Sequence, residues 1–491
     1  MAQKVYREPN VYTTTKRVTP VIPETPVDMY PLVIGTGQTS MKKEDIGYTV
    51  KVEFNTDPES GEKTPTGEYE KIVFEDAVSE VIDAYVYDEW GDEVKLEKAT
   101  DYTFSKEDKS ISLIKDSKKF EAGSIIYFSY VAEADESRYT IQRFTETGDI
   151  ADFYGEDVID GTINNISLGA QLVKASGSDV VYVLQVKAPA GQTTMEMAYK
   201  EALEENVIDI VGSRIWRICP VDAGAERAIR QFVNEMSLPE ERNEKFANIC
   251  PTLPEVGVNY SGTFEDRTVD GTVRPGLLTN YQNFINKFVG RGTAYRFQTF
   301  YPNTATYVAS DGATYTIDGN MIGCAYAGVE QSLERKSQSA TNSTIPGLIN
   351  LVAPLKLRRS QKNLLAALGV TLLTQQTEYG NITVRDALSM DMSTYQTEDP
   401  CVTLAADYVA KSLRNGLHTY IGKSSINAET IAKIEATTNT ILSSMVASDV
   451  IKSYDLVSIE QDTDDPMCLV MNLRVGVLYP LKKIDINIVL D

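Results

Sequence analysis

Leu469-Val470-Met471-Asn472-Leu473-Arg474-Val475-Gly476-Val477-Leu478-Tyr479 is followed by Pro480-Leu481-Lys482-Lys483 and then by Ile484-Asp485-Ile486-Asn487-Ile488-Val489-Leu490. Both apolar stretches alternate with a period of two, the pattern of β-strands. Between them stands a proline, which cannot donate a ladder hydrogen bond. A strand this apolar left as a free edge is a template for aggregation, so it must be paired. Two pairings are open: within the chain's own sheet, or by addition to the sheet of a neighbouring molecule.

The opposite end poses the same question. Residues 1–31 hold five of the 19 prolines (Pro9, Pro20, Pro23, Pro26, Pro31), which block helix and remove donors. Between Pro9 and Pro20 lies the β-prone run Val11-Tyr12-Thr13-Thr14-Thr15-Lys16-Arg17-Val18. A lone strand in a proline-flanked arm has no local partner. It docks on its own fold or is added to another chain. Up to Pro23 the arm carries Lys4, Arg7, Lys16 and Arg17 against Glu8, a basic arm on an acidic protein.

Between these ends the texture changes several times. Pro31-Leu32-Val33-Ile34-Gly35 reads as a short buried strand entering a glycine turn. From about 41 to 137 strands and turns prevail. Ile111-Ser112-Leu113-Ile114 and Gly123-Ser124-Ile125-Ile126-Tyr127-Phe128-Ser129-Tyr130-Val131 read as adjacent strands. Over 41–140 there are 25 acidic against 13 basic residues, which marks a solvent-facing outer module. From about 138 to 350 the rhythm is β-α-β. Asp179 to Val186 is a nearly continuous apolar run suited to a strand covered on both faces, Thr194 to Glu205 reads as a helix, and Val207-Ile208-Asp209-Ile210-Val211 as the next strand. The stretch 255–320 is rich in glycine and reads mainly as loop. From about 351 the pattern turns helical. Leu404, Ala405, Tyr408, Val409, Ser412, Leu413 and Tyr420 share one helix face, with Asp407, Lys411 and Arg414 opposite. Asn427 can cap the next helix, in which Ile431, Ile434, Thr438, Ile441 and Met445 form a seam.

The chain has 491 residues, 70 acidic and 47 basic side chains, and a net charge of −23. That length suits about three domains. The charge argues against nucleic acid and anionic membrane as partners, since phosphate binding needs a basic surface. No apolar run approaches the ~18 residues of a membrane span. The start, Met1-Ala2-Gln3-Lys4-Val5-Tyr6-Arg7-Glu8-Pro9, lacks the apolar core of a secretory signal, so the chain is expected to stay in the cytosol or to leave it by assembly or lysis. Cys219, Cys250, Cys324, Cys401 and Cys468 are far apart with no C-x-x-C pair and read as reduced thiols. A single histidine, His418, rules out a multi-histidine metal site.

Three motifs approach chemistry and fall short. Gly416-Leu417-His418-Thr419-Tyr420-Ile421-Gly422-Lys423-Ser424 resembles a phosphate loop, but five residues rather than four separate its glycines and it follows a helix. Gly35-Thr36-Gly37 lacks the third glycine of a dinucleotide loop. Glu460, Asp462, Asp464 and Asp465 lack the glycine and distal glutamate of a calcium loop and read as a solvated turn. No catalytic, cofactor or metal site is expected.

The order of segments resembles the contractile tail sheath family of bacteriophages and related contractile injection systems. Three stretches carry the likeness: Asn10-Val11-Tyr12 leading to Pro31-Leu32-Val33-Ile34-Gly35; Asp152-Phe153-Tyr154-Gly155 with Ser167-Leu168-Gly169-Ala170-Gln171-Leu172 and Gly177 to Val186; and Asp449-Val450 through Met471-Asn472-Leu473-Arg474-Val475 to Ile488. The resemblance implies a mixed α+β multidomain fold. Its parts would be an N-terminal extended arm (1–31), an α/β core domain (32–40 and 138–350), an inserted acidic β-domain on the outer surface (41–137), a tube-facing helical α+β domain (351–465), and C-terminal strands and arm (466–491). It further implies a structural virion protein, not an enzyme and without cofactor, made in the host cytoplasm. Stacked hexameric rings of it would surround a tail tube and contract to drive the tube through the host envelope during genome delivery. Its partners would be copies of itself, the tail tube protein, and baseplate and tail terminator proteins, with no direct nucleic acid and no membrane insertion.

On this reading Val11, Tyr12, Val18, Ile484, Ile486, Ile488 and Leu490 are inter-subunit arm contacts. Prolines 20, 23 and 26 stiffen the connector, and Asp407, Lys411 and Arg414 are tube-facing candidates. The competing readings are a β-rich, adhesin-like surface-binding protein that uses 41–137 for recognition, and an α/β enzyme built on 138–350.

Overall fold

Val181–Val186, with the sequence VYVLQV, is buried at every position, as a strand without alternation requires when both faces are covered. It is one of nine strands in a single sheet. In chain order these are β1 (Tyr30–Thr36), β2 (Gln142–Phe144), β3 (Val181–Val186), β4 (Ile215–Pro220), β5 (Phe246–Asn248), β6 (Phe297–Tyr301), β7 (Thr344–Ile345), β8 (Val370–Gln375) and β9 (Ile382–Asp386). The computed structural model describes residues 29–37, 40–56, 63–74, 78–88, 90–133, 136–207, 214–238, 241, 243–257, 259–289 and 292–484. Val11, Tyr12, Val18, Ile486, Ile488 and Leu490 lie outside them.

The spatial order is β2-β3-β1-β4-β5-β6-β8-β9-β7. The six strands from β3 to β8 run parallel, and antiparallel strands close both margins. The helices α1 (Asn165–Ala175), α2 (Met195–Asn206), α3 (Glu226–Met236), α4 (Leu277–Val289) and α5 (Gly319–Ser332) cover the sheet, with α1 and α5 on one face and α2 to α4 on the other. Along β1, Leu32 and Ile34 enter one core and Val33 the other. Gly328 permits the contact between α5 and α1, because a Cβ there would meet the carbonyl oxygen of Val173. This is a doubly wound sheet: from β1 the chain adds β3 on one side and then β4 on the other, so the strand order reverses between β1 and β4.

Residues 40–133 make sheets of their own. Ser40–Thr49, Ile125–Glu133, Val78–Tyr87 and Glu93–Lys95 form a four-stranded antiparallel sheet in that order, over a core that includes Phe74, Tyr102, Ile111, Ile126 and Phe128. The expected adjacency of 111–114 and 123–131 is corrected. Ser110–Leu113 pairs with Tyr102–Ser105 and Ile72–Val73 in a separate three-stranded sheet. The short turn after Ser105 closes that hairpin at less entropic cost than the longer 114–124 connection would.

Two further expectations change. Helical texture does not begin near 351: after the helix Arg359–Ala367, β8 and β9 continue the central sheet to Asp386. Short apolar runs such as Val370-Thr371-Leu372-Leu373 do not reveal by periodicity whether they are helix or strand. The loop-rich reading of 255–320 missed α4, which buries Leu277, Tyr281, Phe284, Ile285 and Phe288. Val207 ends α2 rather than opening a strand, and residues 208–211 lie outside the described ones.

Beyond the central sheet come α6 (Pro400–Leu417), α7 (Ala428–Ala447) and the hairpin of β10 (Ile451–Gln461) and β11 (Leu469–Val477). Asp399 caps α6 by accepting from the Cys401 N–H at 3.0 Å, with Pro400 in the first turn where no donor is needed. Asn427 caps α7 as expected, accepting from the Thr430 N–H at 2.9 Å. Ten α-helices and many small sheets among the described residues make this a mixed α/β fold.

Candidate functional site

The strand Leu469–Val477 pairs antiparallel with Ile451–Gln461, in a register that sets Leu473 opposite Leu456 and Val475 opposite Tyr454. These two strands make a sheet by themselves, so among the described residues each keeps one edge without a ladder partner. One face rests on the helices: Tyr454, Leu473 and Val475 pack against Val409, Ile441, Leu442 and Met445. The Tyr454 hydroxyl and Ser443 Oγ are 2.8 Å apart. No position of β11 is fully buried, and Val457 and Val470 on β10 and β11 are exposed.

The α7 seam is covered only along its C-terminal half. Thr438, Ile441 and Met445 are buried, whereas Ile431 and Ile434 are half-buried. Beside Ile434 a groove of about 460 Å³ opens between the helices and the hairpin, walled by Leu417, Ile421, Ile459, Leu469 and Met471. The acidic cluster forms the hairpin turn at its rim. Asp462 Oδ1 accepts from the Asp464 N–H at 2.8 Å and Asp465 Oδ1 from the Met467 N–H at 2.9 Å, so carboxylates fix the turn by local hydrogen bonds.

The expected tube contact on the polar face of α6 is corrected for Asp407 and Lys411, whereas the Arg414 side chain is 34% exposed. Asp407 and Lys411 are each 4% exposed and lie inside the chain, against the amino ends of β4 and β5. Asp407 takes a bidentate pair from Arg296, at 2.7 and 3.0 Å, and accepts from Trp216 Nε1 at 3.3 Å. Lys411 Nζ donates to the Glu244 carbonyl at 3.1 Å, and Arg414 pairs with the Glu244 carboxylate. Burial, against the pull of Asp407 and Glu244, pushes the Lys411 ammonium down to about 8. Burial also pushes Lys245 well below the ordinary lysine range, where its Nζ donates to the Ile215 carbonyl at 2.6 Å. A helix with opposed apolar and charged faces looks solvent-exposed on one side, but here the charged side docks on a second ionic layer. Ile484, by contrast, is 71% exposed at the start of the C-terminal arm.

The Gly35-Thr36-Gly37 segment, at the end of β1, lies where doubly wound sheets hold ligands, outside the carboxyl ends of the strands at the reversal of strand order. Here that crevice contains the chain's own carboxylate. Asp222 accepts from the Thr36 N–H at 2.5 Å, from Thr36 Oγ1 at 2.8 Å and from the Tyr199 hydroxyl at 2.9 Å. Residues 416–424 run from the end of α6 through a short 3-10 turn, with no preceding strand, and His418 is exposed. All five cysteines are free thiols. Burial pushes Cys250 up to about 12 and raises Cys401 as well.

Residues 395–491 match the family model described as the phage tail sheath C-terminal domain, which spans α6, α7 and the hairpin. No curated protein matches the sequence. Among solved structures the chain is similar to the helical sheath of the anti-feeding prophage (AFP) in its contracted state, with TM-score 0.55 and 10% identity over 99% of this chain and 100% of that one. It is similar to the sheath complex of the extracellular contractile injection system PVC in its contracted state, with TM-score 0.52 and 12% identity over 73% of this chain and 89% of that one. A chain of the anti-feeding prophage baseplate gives TM-score 0.53 and 10% identity over 72% of this chain and 89% of that one. Identities this low speak for fold. About the last fifth of the chain thus matches the phage tail sheath C-terminal domain in sequence, and the chain as a whole shares the fold of sheath proteins from contractile injection systems.

Proposed function

We propose that the protein is a structural sheath subunit that polymerises into a contractile helical tube, and that the hairpin of β10 and β11 is where one subunit receives strands from others. The observation that carries this reading is a two-stranded sheet, within the matched C-terminal domain, whose outer edges have no ladder partner among the described residues. Main-chain hydrogen bonds along such an edge supply affinity, while alternate side chains select register. The donors are the arms, through Val11, Tyr12 and Val18 at one end and Ile484, Ile486, Ile488 and Leu490 at the other. A contact that joins unlike surfaces and does not close produces a helical filament.

In this reading hexameric rings stack around a tail tube and the acidic segment 41–137 faces outward. Rigid-body rotation about the arms shortens the sheath and drives the tube through a host envelope. The partners are tube, baseplate and terminator proteins of a phage tail or injection particle. Electron microscopy of the purified chain beside one lacking 484–491 tests the proposal. Long hollow tubes from the intact chain, abolished by the truncation, are expected. Tubes from both would refute donation of the C-terminal strand, and a ligand-binding monomer from both would favour the adhesin-like reading.

A further inference from the structure

The short segment that follows β11 crosses back to the body of the molecule. Tyr479, Leu481 and Ile484 point outward, at 53%, 79% and 71% exposure, but Lys482 between them points in, with a side chain 21% exposed. Its ammonium stands 2.9 Å from Asp386 Oδ1, 3.1 Å from Asp399 Oδ2 and 3.6 Å from Glu398 Oε1, and donates to the Ala387 carbonyl at 3.1 Å. These partners come from separate elements: the end of β9 in the central sheet, the helical turn Tyr395–Glu398, and the cap of α6. Asp399 is itself held, since Ser339 Oγ donates to it at 2.7 Å. Burial works against the charge of Lys482, but Asp399 and Asp386 outweigh it and keep the ammonium above its ordinary range.

We propose that Lys482, gripped by Asp386, Glu398 and Asp399, anchors the root of the C-terminal strand to the body, so that a strand donated to a second copy pulls on the central sheet rather than on the hairpin. The proposal rests on the strand-donation reading above. Without the anchor, tension on residues 485–490 would run back through Pro480 into β11, which is held by one ladder and a partly covered face. With it, the pull ends on four groups placed by the sheet and α6. The anchor also bounds the geometry of assembly: residues 485–490, fully extended, reach about 20 Å from Ile484, so the receiving edge lies within that radius.

Limited chymotrypsin digestion of the full chain before assembly reads the anchor, because cutting after Leu481 requires 478–484 to lift away from the body, while Pro480 protects the bond after Tyr479. Lys482→Met should be cut there about tenfold faster than the natural chain, and Lys482→Arg at nearly the natural rate. Thermal melting confirms that the body of each variant is folded. Lys482→Met should also lose long tubes in electron micrographs, and Lys482→Arg should keep them. Cutting of Lys482→Met at the natural rate would overturn the anchor. Faster cutting with unchanged tubes would overturn its part in carrying tension. Tubes from the chain lacking 484–491 would refute strand donation itself and leave the digestion result standing.

Discussion

The strands β3 and β11 are both apolar, yet the molecule treats them in opposite ways. Val181–Val186 is buried at all six positions between two layers of helices, and its neighbours on both sides complete its ladder. Leu469–Val477 has no fully buried position and, among the described residues, one edge without a ladder partner. The first is a strand whose environment is complete within one chain. The second carries more apolar surface and more backbone donors than the described residues cover, which is the feature on which the strand-donation proposal rests.

The comparison is broken hardest in the central sheet. Arg217 is 1% exposed and forks onto Glu330 with bonds of 2.7 and 2.6 Å, while also donating to Gln298 Oε1 at 2.9 Å. Glu330→Ala should destabilise the free chain by about 3–5 kcal/mol by stranding a buried guanidinium. A denaturant titration with little change in midpoint would show that the sheet tolerates an unpaired charge. A matched pair of truncations sharpens the contrast. Leu184→Ala in β3 should cost about 3 kcal/mol in the free chain, whereas half-buried Leu473→Ala in β11 should cost about 1 kcal/mol there and act mainly on tube formation. Equal effects on the melting of the free chain would remove the distinction drawn between the two strands.

The smallest effect concerns the ionic layer under α6. Lys411, near 8 when folded against an ordinary 10.5, gives up its proton on folding within that interval. The unfolded chain then binds more protons, so stability should rise with pH from about 8 towards 10, by at most about 1.4 kcal/mol per pH unit for this one group. Lys245, pushed down in the same direction, adds to the rise. Stability measured across this range should climb less steeply for Lys411→Met, and an unchanged slope would count against the burial of its charge.

Much of this architecture was legible in the residues. The run at 179–186, the helix after Thr194, the Asn427 cap and the alternation at 469–477 each express a local rule, and the structure keeps all of them. What failed required knowledge of distant partners. Asp407 and Lys411 look like a solvent face until Arg296 and Glu244, more than a hundred residues away, are brought to them by the sheet. The strand Val370–Gln375 was unreadable because a buried apolar hexamer has no period to betray it. Strand β10 shows no clean period in its residues, because the alternation of Tyr454, Leu456 and Ile459 is interrupted by irregularities in register. Lys482 gave no signal at all, since nothing in Pro480-Leu481-Lys482-Lys483 sets it apart from the lysine beside it until its distant carboxylates are placed.

Asp222 has a consequence of another kind. In sheets of this topology the crevice beside the first strand is where a ligand from the surroundings commonly binds. Here a carboxylate that belongs to the chain stands at that crevice, held by the Thr36 amide and hydroxyl and by Tyr199. A tethered occupant has no dissociation constant and no concentration on which its occupancy depends. The joint between β1 and β4 is therefore fastened by groups of the chain itself, whatever the solution around it contains.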